Sequence, residues 1–308
     1  MCGRTSCYCQ PETYRSATGY FDPESGKYVR PDWKDVDGHE FKSSTNVAPT
    51  DFTPVLIPGS IWEDVKTDRA LQPMMWGMIP PWHQGDYKTH GLSTNNCRIE
   101  NIRKSKLYSP SLKGKRCVII CDGFYEWMST KGSKKQPYFV YSPQPEGIKA
   151  EEIASWENGT WCEEKGWIGP NILKMAGLFN EWHSPSDEVM FSYTVITMEA
   201  NKTLNWLHHR MPAILSNEEQ VLGWLDVEGT EVVDALELLT PVEKISYHPV
   251  STIVNNSRNK DTSCNKPFDI KNVDNKSSSF MQAWLGKGKK ESSTSSSEST
   301  PNKKIKLG

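Results

Sequence analysis

The stretch "KRCVIICDGFYEW" (residues 115–127) decides the fold class. It is rich in β-branched and aromatic residues, and it reads as a strand whose Cys117 and Cys121 pack into a core rather than ligate a metal. Five further runs read the same way: "TPVLIP" (53–58), "QPYFVYSP" (136–143), "KMAGLF" (174–179), "FSYTVITM" (191–198) and "KISYHPV" (244–250). Pro, Gly, Ser or Asn bounds each of them. Helices are fewer. The best are 218–226 ("EEQVLGWLD"), capped by Ser216 or Asn217, and 231–239 ("EVVDALELL"), with shorter ones expected after Asn96 and Asn201. Strands and helices do not alternate as βαβ units, so the expectation is an α+β fold built on a mainly antiparallel, barrel-like sheet with flanking helices.

The chain has 308 residues, enough to bury a sizeable core, and a formal net charge of −2, so any basic surface must be local. Eight cysteines are spread thinly along it. No signal peptide is read, and no run approaches the ~20 apolar residues of a membrane span. A reducing compartment and no membrane partner are therefore expected. Cys7 with Cys9, Cys117 with Cys121, and His208 with His209 are pairs, but none has the spacing of a structural zinc site, so neither metal nor cofactor is expected.

The expected organisation is one domain over 2–272 with an ordered insertion loop at 144–171, followed by a tail over 273–308. The insertion is acidic and carries Trp156, Trp161 and Trp167, which read as packing residues. The tail is rich in Ser and Lys and too poor in apolar residues to fold. Its "FMQAWL" (280–285) and the basic "PNKKIKLG" (301–308) are weak candidates for a partner helix and a nuclear localisation signal.

The chemistry starts at "MCGR". Removal of Met1 would leave Cys2 with a free α-amine of pKa near ~7.7–8.0, well below the ~10.4 of a lysine, and with a thiol beside it. Such an aminothiol attacks an aldehyde as a Schiff-base nucleophile and can close a five-membered thiazolidine. It needs a group to hold the amine, a general acid to move protons as the carbinolamine dehydrates, and cations for whatever carries the aldehyde. Three stretches supply these: "STNNCRIE" (93–100), "DGFYEW" (122–127) and "LHHRMPAIL" (207–215). Asn96 offers an amide, Glu126 and His208 an acid/base pair, and Arg4, Arg98 and Arg210 guanidinium forks matched to phosphate. Trp76, Trp82 and Trp127 lie beside these motifs, where an indole face can stack on an unpaired base.

With these motifs in place, the sequence resembles the SRAP family. The resemblance runs in family order through "MCGR", "NVAPT" (46–50), "MMWGMIPPW" (74–82), "TNNCRIE" (94–100), "RCVIICDGFYEW", "KQPYF" (135–139), "MAGLF" (175–179), "SYTVIT" (192–197) and "LHHRMPAIL", and it covers residues 2 to about 260. It implies a compact SRAP-type domain with a positively charged channel for single-stranded DNA, acting as a monomer in the nucleus at chromatin and replication forks. It also implies that Cys2 traps the ring-opened aldehyde of an abasic site as a thiazolidine crosslink that shields the lesion, with weak lyase activity and self-reversal as side reactions. By the same resemblance, Asn96 positions the nucleophile, Arg98 binds the adjoining phosphate, Glu126 assists imine formation, ring closure and reversal, and His208 is the general acid on the sugar-ring oxygen. Arg4 and Arg210 match phosphate contacts, and Trp127, Pro49 and Thr197 match positions lining the channel.

A missing base makes sequence readout unnecessary, so backbone and stacking contacts suffice for such a substrate. One departure concerns partners. Vertebrate members carry a longer C-terminal region with a sliding-clamp-binding motif that "FMQAWLGKGKK" does not reproduce, which leaves clamp binding in doubt. Two other functions compete: an N-terminal nucleophile peptidase using Cys2 with His208 and limited to removing Met1, and a non-covalent reader of modified DNA bases.

Overall fold

A computed structural model describes residues 3–129 and 135–270, and residues 3–268 belong to one compact unit. The fold is mixed α+β, with few helices around a closed, barrel-like sheet. Five strands close the barrel. Leu173–His183 pairs antiparallel with Arg116–Cys121, which pairs with Phe52–Pro58, which pairs with Arg69–Trp76. Val189–Glu199 pairs antiparallel with Leu173–His183 and meets Arg69–Trp76 in parallel at Ser192↔Met75 and Tyr193↔Trp76, completing the ring.

The Arg116–Cys121 strand is buried at every position, as befits a strand covered on both faces. Cys117 and Cys121 are core residues there. At Gly177, opposite Cys117, a Cβ would lie 2.1 Å from Ile119 Cδ1 and 2.6 Å from the Thr194 carbonyl, so only glycine fits between these strands.

The run at 115–127 is not one strand, contrary to the expectation. It breaks at Asp122 into Arg116–Cys121 in the barrel and Gly123–Ser129 in a second sheet. The cause is long-range. The buried Asp122 carboxylate accepts from Ser6 Oγ (2.8 Å), the Tyr8 amide (2.8 Å) and Tyr14 Oη (2.9 Å), and its own amide donates to the Ser6 carbonyl (2.8 Å). These bonds pull the chain off the barrel and onto the N-terminal strand. The second sheet has the order Ser246–Pro249, Lys135–Tyr141, Gly123–Ser129, Thr5–Cys7, Ser44–Val47, and all of its pairings are antiparallel.

The helix Glu218–Leu225 starts at Asn217, whose side chain accepts from the Gln220 amide. Val232–Glu237 follows, and Pro11–Ala17, with Pro11 in its first turn, was not foreseen. The two short helices expected after Asn96 and Asn201 are absent. Asn96–Arg98 is a strand followed by a single 3-10 turn, Ile99–Asn101. After Asn201 there is a turn, because the Asn201 side chain captures the Thr203 amide (3.1 Å) and donates to the Val242 carbonyl (2.6 Å). The 144–171 segment contains the helix Ile153–Glu157 and a hairpin of Thr160–Cys162 with Gly166–Ile168, and Trp156 is buried. The tail, with "FMQAWL" and "PNKKIKLG", lies outside the described residues.

Candidate functional site

The second sheet carries the N-terminal segment to the site. Thr5 pairs with Phe124, and the Tyr125 amide donates to the Arg4 carbonyl (2.9 Å), so the register runs on toward Glu126 as the chain approaches its start. Cys2, the expected nucleophile, lies outside the described residues. Alternation sends Tyr125 into a small cluster with Phe139 and Val250, while Phe124 and Glu126 point the other way, toward the barrel. Glu126 is buried, and its Oε1 accepts from the Trp127 amide (3.2 Å).

The barrel supplies the opposing wall. The C-terminal half of Val189–Glu199 is flanked on one edge by Asn96–Arg98, with Val195↔Asn96 and Thr197↔Arg98, and on the other by Arg210–Pro212, with Glu199↔Arg210. His208 leads into this last strand. Burial lowers its pKa below the ordinary histidine value, and the Glu126 carboxylate, near enough to act on the ring, pulls the other way. The structure therefore brings Glu126 and His208 together as an electrostatically linked pair. Arg98 is exposed on the barrel wall beside Asn96, which is half-buried.

Other expected contacts are placed differently. Arg210 is buried, and its fork is engaged by Glu100: Nη1 to Oε1 at 2.5 Å, Nη2 to Oε2 at 3.0 Å, with Nη2 also donating to the Thr197 carbonyl at 2.7 Å. It is a tie across the wall rather than an open phosphate fork. The pairing holds the Glu100 carboxyl below its usual range. Arg4 donates to Asn46 Oδ1 (3.1 Å) and the Val254 carbonyl (2.8 Å), which joins the N-terminal strand to the Thr252–Asn255 turn.

Thr197 is fully buried, its hydroxyl donating to the Cys97 carbonyl (3.2 Å), so it supports the wall from beneath. Trp76 is also fully buried, its indole stacked at 3° on Tyr193 and donating to the Asn95 carbonyl (2.9 Å). This corrects its reading as a stacking surface: a ring packed into the core has no face left for a base. Trp82 is 55 % exposed, and Trp127 is half-buried with its indole N–H on Asn255 Oδ1 (2.7 Å). Pro49 borders a cavity of about 280 Å³ walled also by Thr50, Gly77 and the 90–95 segment that leads into Asn96. A cavity of about 850 Å³ beside Trp167 and Glu218 contains none of the expected site residues.

Two site residues escaped the sequence reading. Asp122 anchors the N-terminal strand, and Asn46 Nδ2 donates to the carbonyls of Val254, Asn256 and Asn259, fixing the turn that holds Arg4 and Trp127. Both lie inside motifs already singled out, "NVAPT" and "RCVIICDGFYEW", but their roles rest on distant partners. Among the described residues, no group of three or more His, Cys, Asp or Glu converges as a metal site, and no helix is long and apolar enough to cross a membrane.

The sequence profile of the family described as "SOS response associated peptidase (SRAP)" matches residues 1–257. "Abasic site processing protein HMCES" of Xenopus tropicalis is 44 % identical over 269 residues, covering 86 % of this chain and 77 % of its own. Its Mus musculus counterpart is 38 % identical, covering 92 % and 82 %. "Abasic site processing protein YoqW" of Bacillus subtilis is 28 % identical, covering 71 % and 84 %. A solved protein from Bacteroides thetaiotaomicron shares the fold at a TM-score of 0.57 and 20 % identity, over 74 % of this chain and 87 % of that one.

Proposed function

Because the chain belongs to the SOS response associated peptidase (SRAP) family, we propose that it processes abasic sites in DNA, and that it does so on single strands by trapping the lesion's aldehyde covalently on Cys2. The observation that carries this reading is the juxtaposition of Glu126 and His208 at the place toward which the N-terminal strand is paired. The names of its relatives support the substrate class.

Once Met1 is removed, the α-amine of Cys2 adds to the aldehyde carbon of the ring-opened sugar, forming a C–N bond and a carbinolamine. His208 protonates the sugar-ring oxygen as the hemiacetal hydroxyl loses its proton and the ring opens to this aldehyde, and Glu126 then moves a proton from the carbinolamine nitrogen to its hydroxyl, so water leaves and an imine forms. The thiol sulfur then bonds to the imine carbon and its proton passes to nitrogen, closing a thiazolidine. The net reaction joins protein and DNA and releases one water. Reversal runs through the same imine, and loss of a sugar proton from that imine gives β-elimination, hence weak lyase activity. Asn96 would orient the amine and Arg98 would hold the adjoining phosphate. The protein would act as a monomer, in the nucleus on DNA at chromatin and replication forks. The crosslink would shield the lesion from cleavage and error-prone bypass.

Intact-mass measurement after incubation with a single-stranded oligonucleotide carrying one abasic site tests this. The expected mass is the chain without Met1 plus the oligonucleotide minus one water. An unchanged protein mass, with Met1 gone, would count against it.

A further inference from the structure

We propose that Trp206, Tyr138 and Tyr247 form a stacking platform for the base of a nucleotide flanking the abasic site. The proposal rests on the single-strand reading above, and it assigns a subsite to residues outside the catalytic group.

The three rings form one cluster. Trp206 meets Tyr138 edge-on at 5.1 Å and Tyr247 at 4.9 Å, and Tyr138 meets Tyr247 at 6.3 Å. A buried aromatic cluster would be core, but here Trp206 is 39 % and Tyr247 43 % exposed, so ring surface faces solvent. The only polar group on the indole is already used, Nε1 donating to the Thr203 carbonyl at 2.8 Å, which leaves a π-face as what Trp206 offers.

The register places this surface. Glu126 is directly opposite Tyr138, and Tyr138 is directly opposite Pro249 on the next strand. Paired residues share a face, and Tyr247 lies two residues from Pro249 on that same face. One row across the sheet therefore runs from Glu126 through Tyr138 to Pro249, and Tyr247, paired with Val140, lies diagonal to Tyr138 on the same face. With strands about 4.8 Å apart and residues about 3.4 Å apart along a strand, Tyr247 lies about 12 Å from Glu126, within reach of a neighbouring nucleotide. Trp206 reaches the same place from the other wall, two residues before His208.

A lesion without a base gives the site nothing to stack on, so aromatic contact must go to a neighbour. Stacking tolerates any base, as a lesion in arbitrary sequence requires.

The test uses fluorescence anisotropy of a labelled single-stranded oligonucleotide carrying one tetrahydrofuran residue, which has no aldehyde, and a second oligonucleotide in which the flanking residues are also baseless. Trp206→Ala and Tyr247→Ser are expected to weaken binding of the first about 5- to 100-fold and binding of the second hardly at all. Tyr247→Phe should retain most of the affinity. With aldehyde DNA, the variants should raise the DNA concentration for half-maximal crosslinking and leave the rate at saturation. Unchanged affinity in both variants would overturn the proposal and leave this face to a protein partner. Equal losses on both oligonucleotides, or a loss confined to the saturated rate, would also overturn it and make Trp206 a prop for His208. A wild-type chain that shows the flank dependence but never crosslinks would sink the covalent reading alone.

Discussion

The backbone N–H of Arg210 donates to Nδ1 of His208 at 3.0 Å, and the Arg210 carbonyl lies 3.2 Å from the same nitrogen. With the ring proton on Nε2, Nδ1 accepts from the amide; with Nδ1 protonated, in the cation or in the other neutral tautomer, Nδ1–H donates to the carbonyl. One residue supplies a partner for both protonation states, so Nε2 can give up and regain a proton without disturbing the ring's anchorage.

That arrangement predicts a pH profile. The pKa of His208 is lowered by burial, and the α-amine of Cys2 titrates near ~7.7–8.0. A step needing the free amine and the protonated imidazole is slow in acid, levels off between the two pKa values, and declines again in alkali. His208→Gln should slow crosslinking about 10²- to 10⁴-fold and remove the alkaline decline, as single-turnover rates across pH would reveal.

Glu100→Gln should destabilise the chain by about 0.5–1 kcal/mol at neutral pH, since it removes charge from the fork that holds buried Arg210, while solvent on the half-exposed Glu100 side screens the pair. The folded carboxyl titrates below its ordinary value, so this stabilisation is present above the unfolded pKa and is lost as pH falls through the folded one. Chemical denaturation at several pH values should show the wild-type and variant curves converging in acid.

The limits of sequence reading are visible in these residues. Cys117 and Cys121 were legible as core because an unbroken apolar run admits little else. The break at Asp122 was not, because its cause is a set of bonds to Ser6, Tyr8 and Tyr14 more than a hundred residues away. Arg210 announced its donors but not Glu100, which already holds them. Trp76 and Trp206 look alike in a chain of twelve tryptophans; only packing separates the buried one from the exposed one.

Asp122 makes a pH prediction of opposite sign. Burial is the main cause of its pKa being raised to about 6, and the bonds from Ser6, Tyr8 and Tyr14 oppose the rise. The folded state therefore retains a proton that the unfolded chain releases near ~3.9, and the stability this confers is full below that value and lost as pH rises through about 6. The stability of wild type relative to Asp122→Asn should fall by about 2–3 kcal/mol between pH 4 and pH 6, then stay level. Urea midpoints of the two proteins would measure it.

Gly177→Ala tests the barrel closure. The added methyl collides with Ile119 and with the Thr194 carbonyl on the two flanking strands, so a loss of about 1–3 kcal/mol is expected. Thermal unfolding would check it, and an unchanged Tm would mean that the strands separate more easily than their pairing suggests.

The central claim is that Cys2 captures an abasic aldehyde. The most direct measurement is a denaturing gel, without borohydride, of the chain lacking Met1 after incubation with a single-stranded oligonucleotide bearing one abasic site. A slow-migrating band that survives denaturation and disappears in Cys2→Ala is the predicted result. No such band with the wild-type chain, or an equal band with Cys2→Ala, would contradict it.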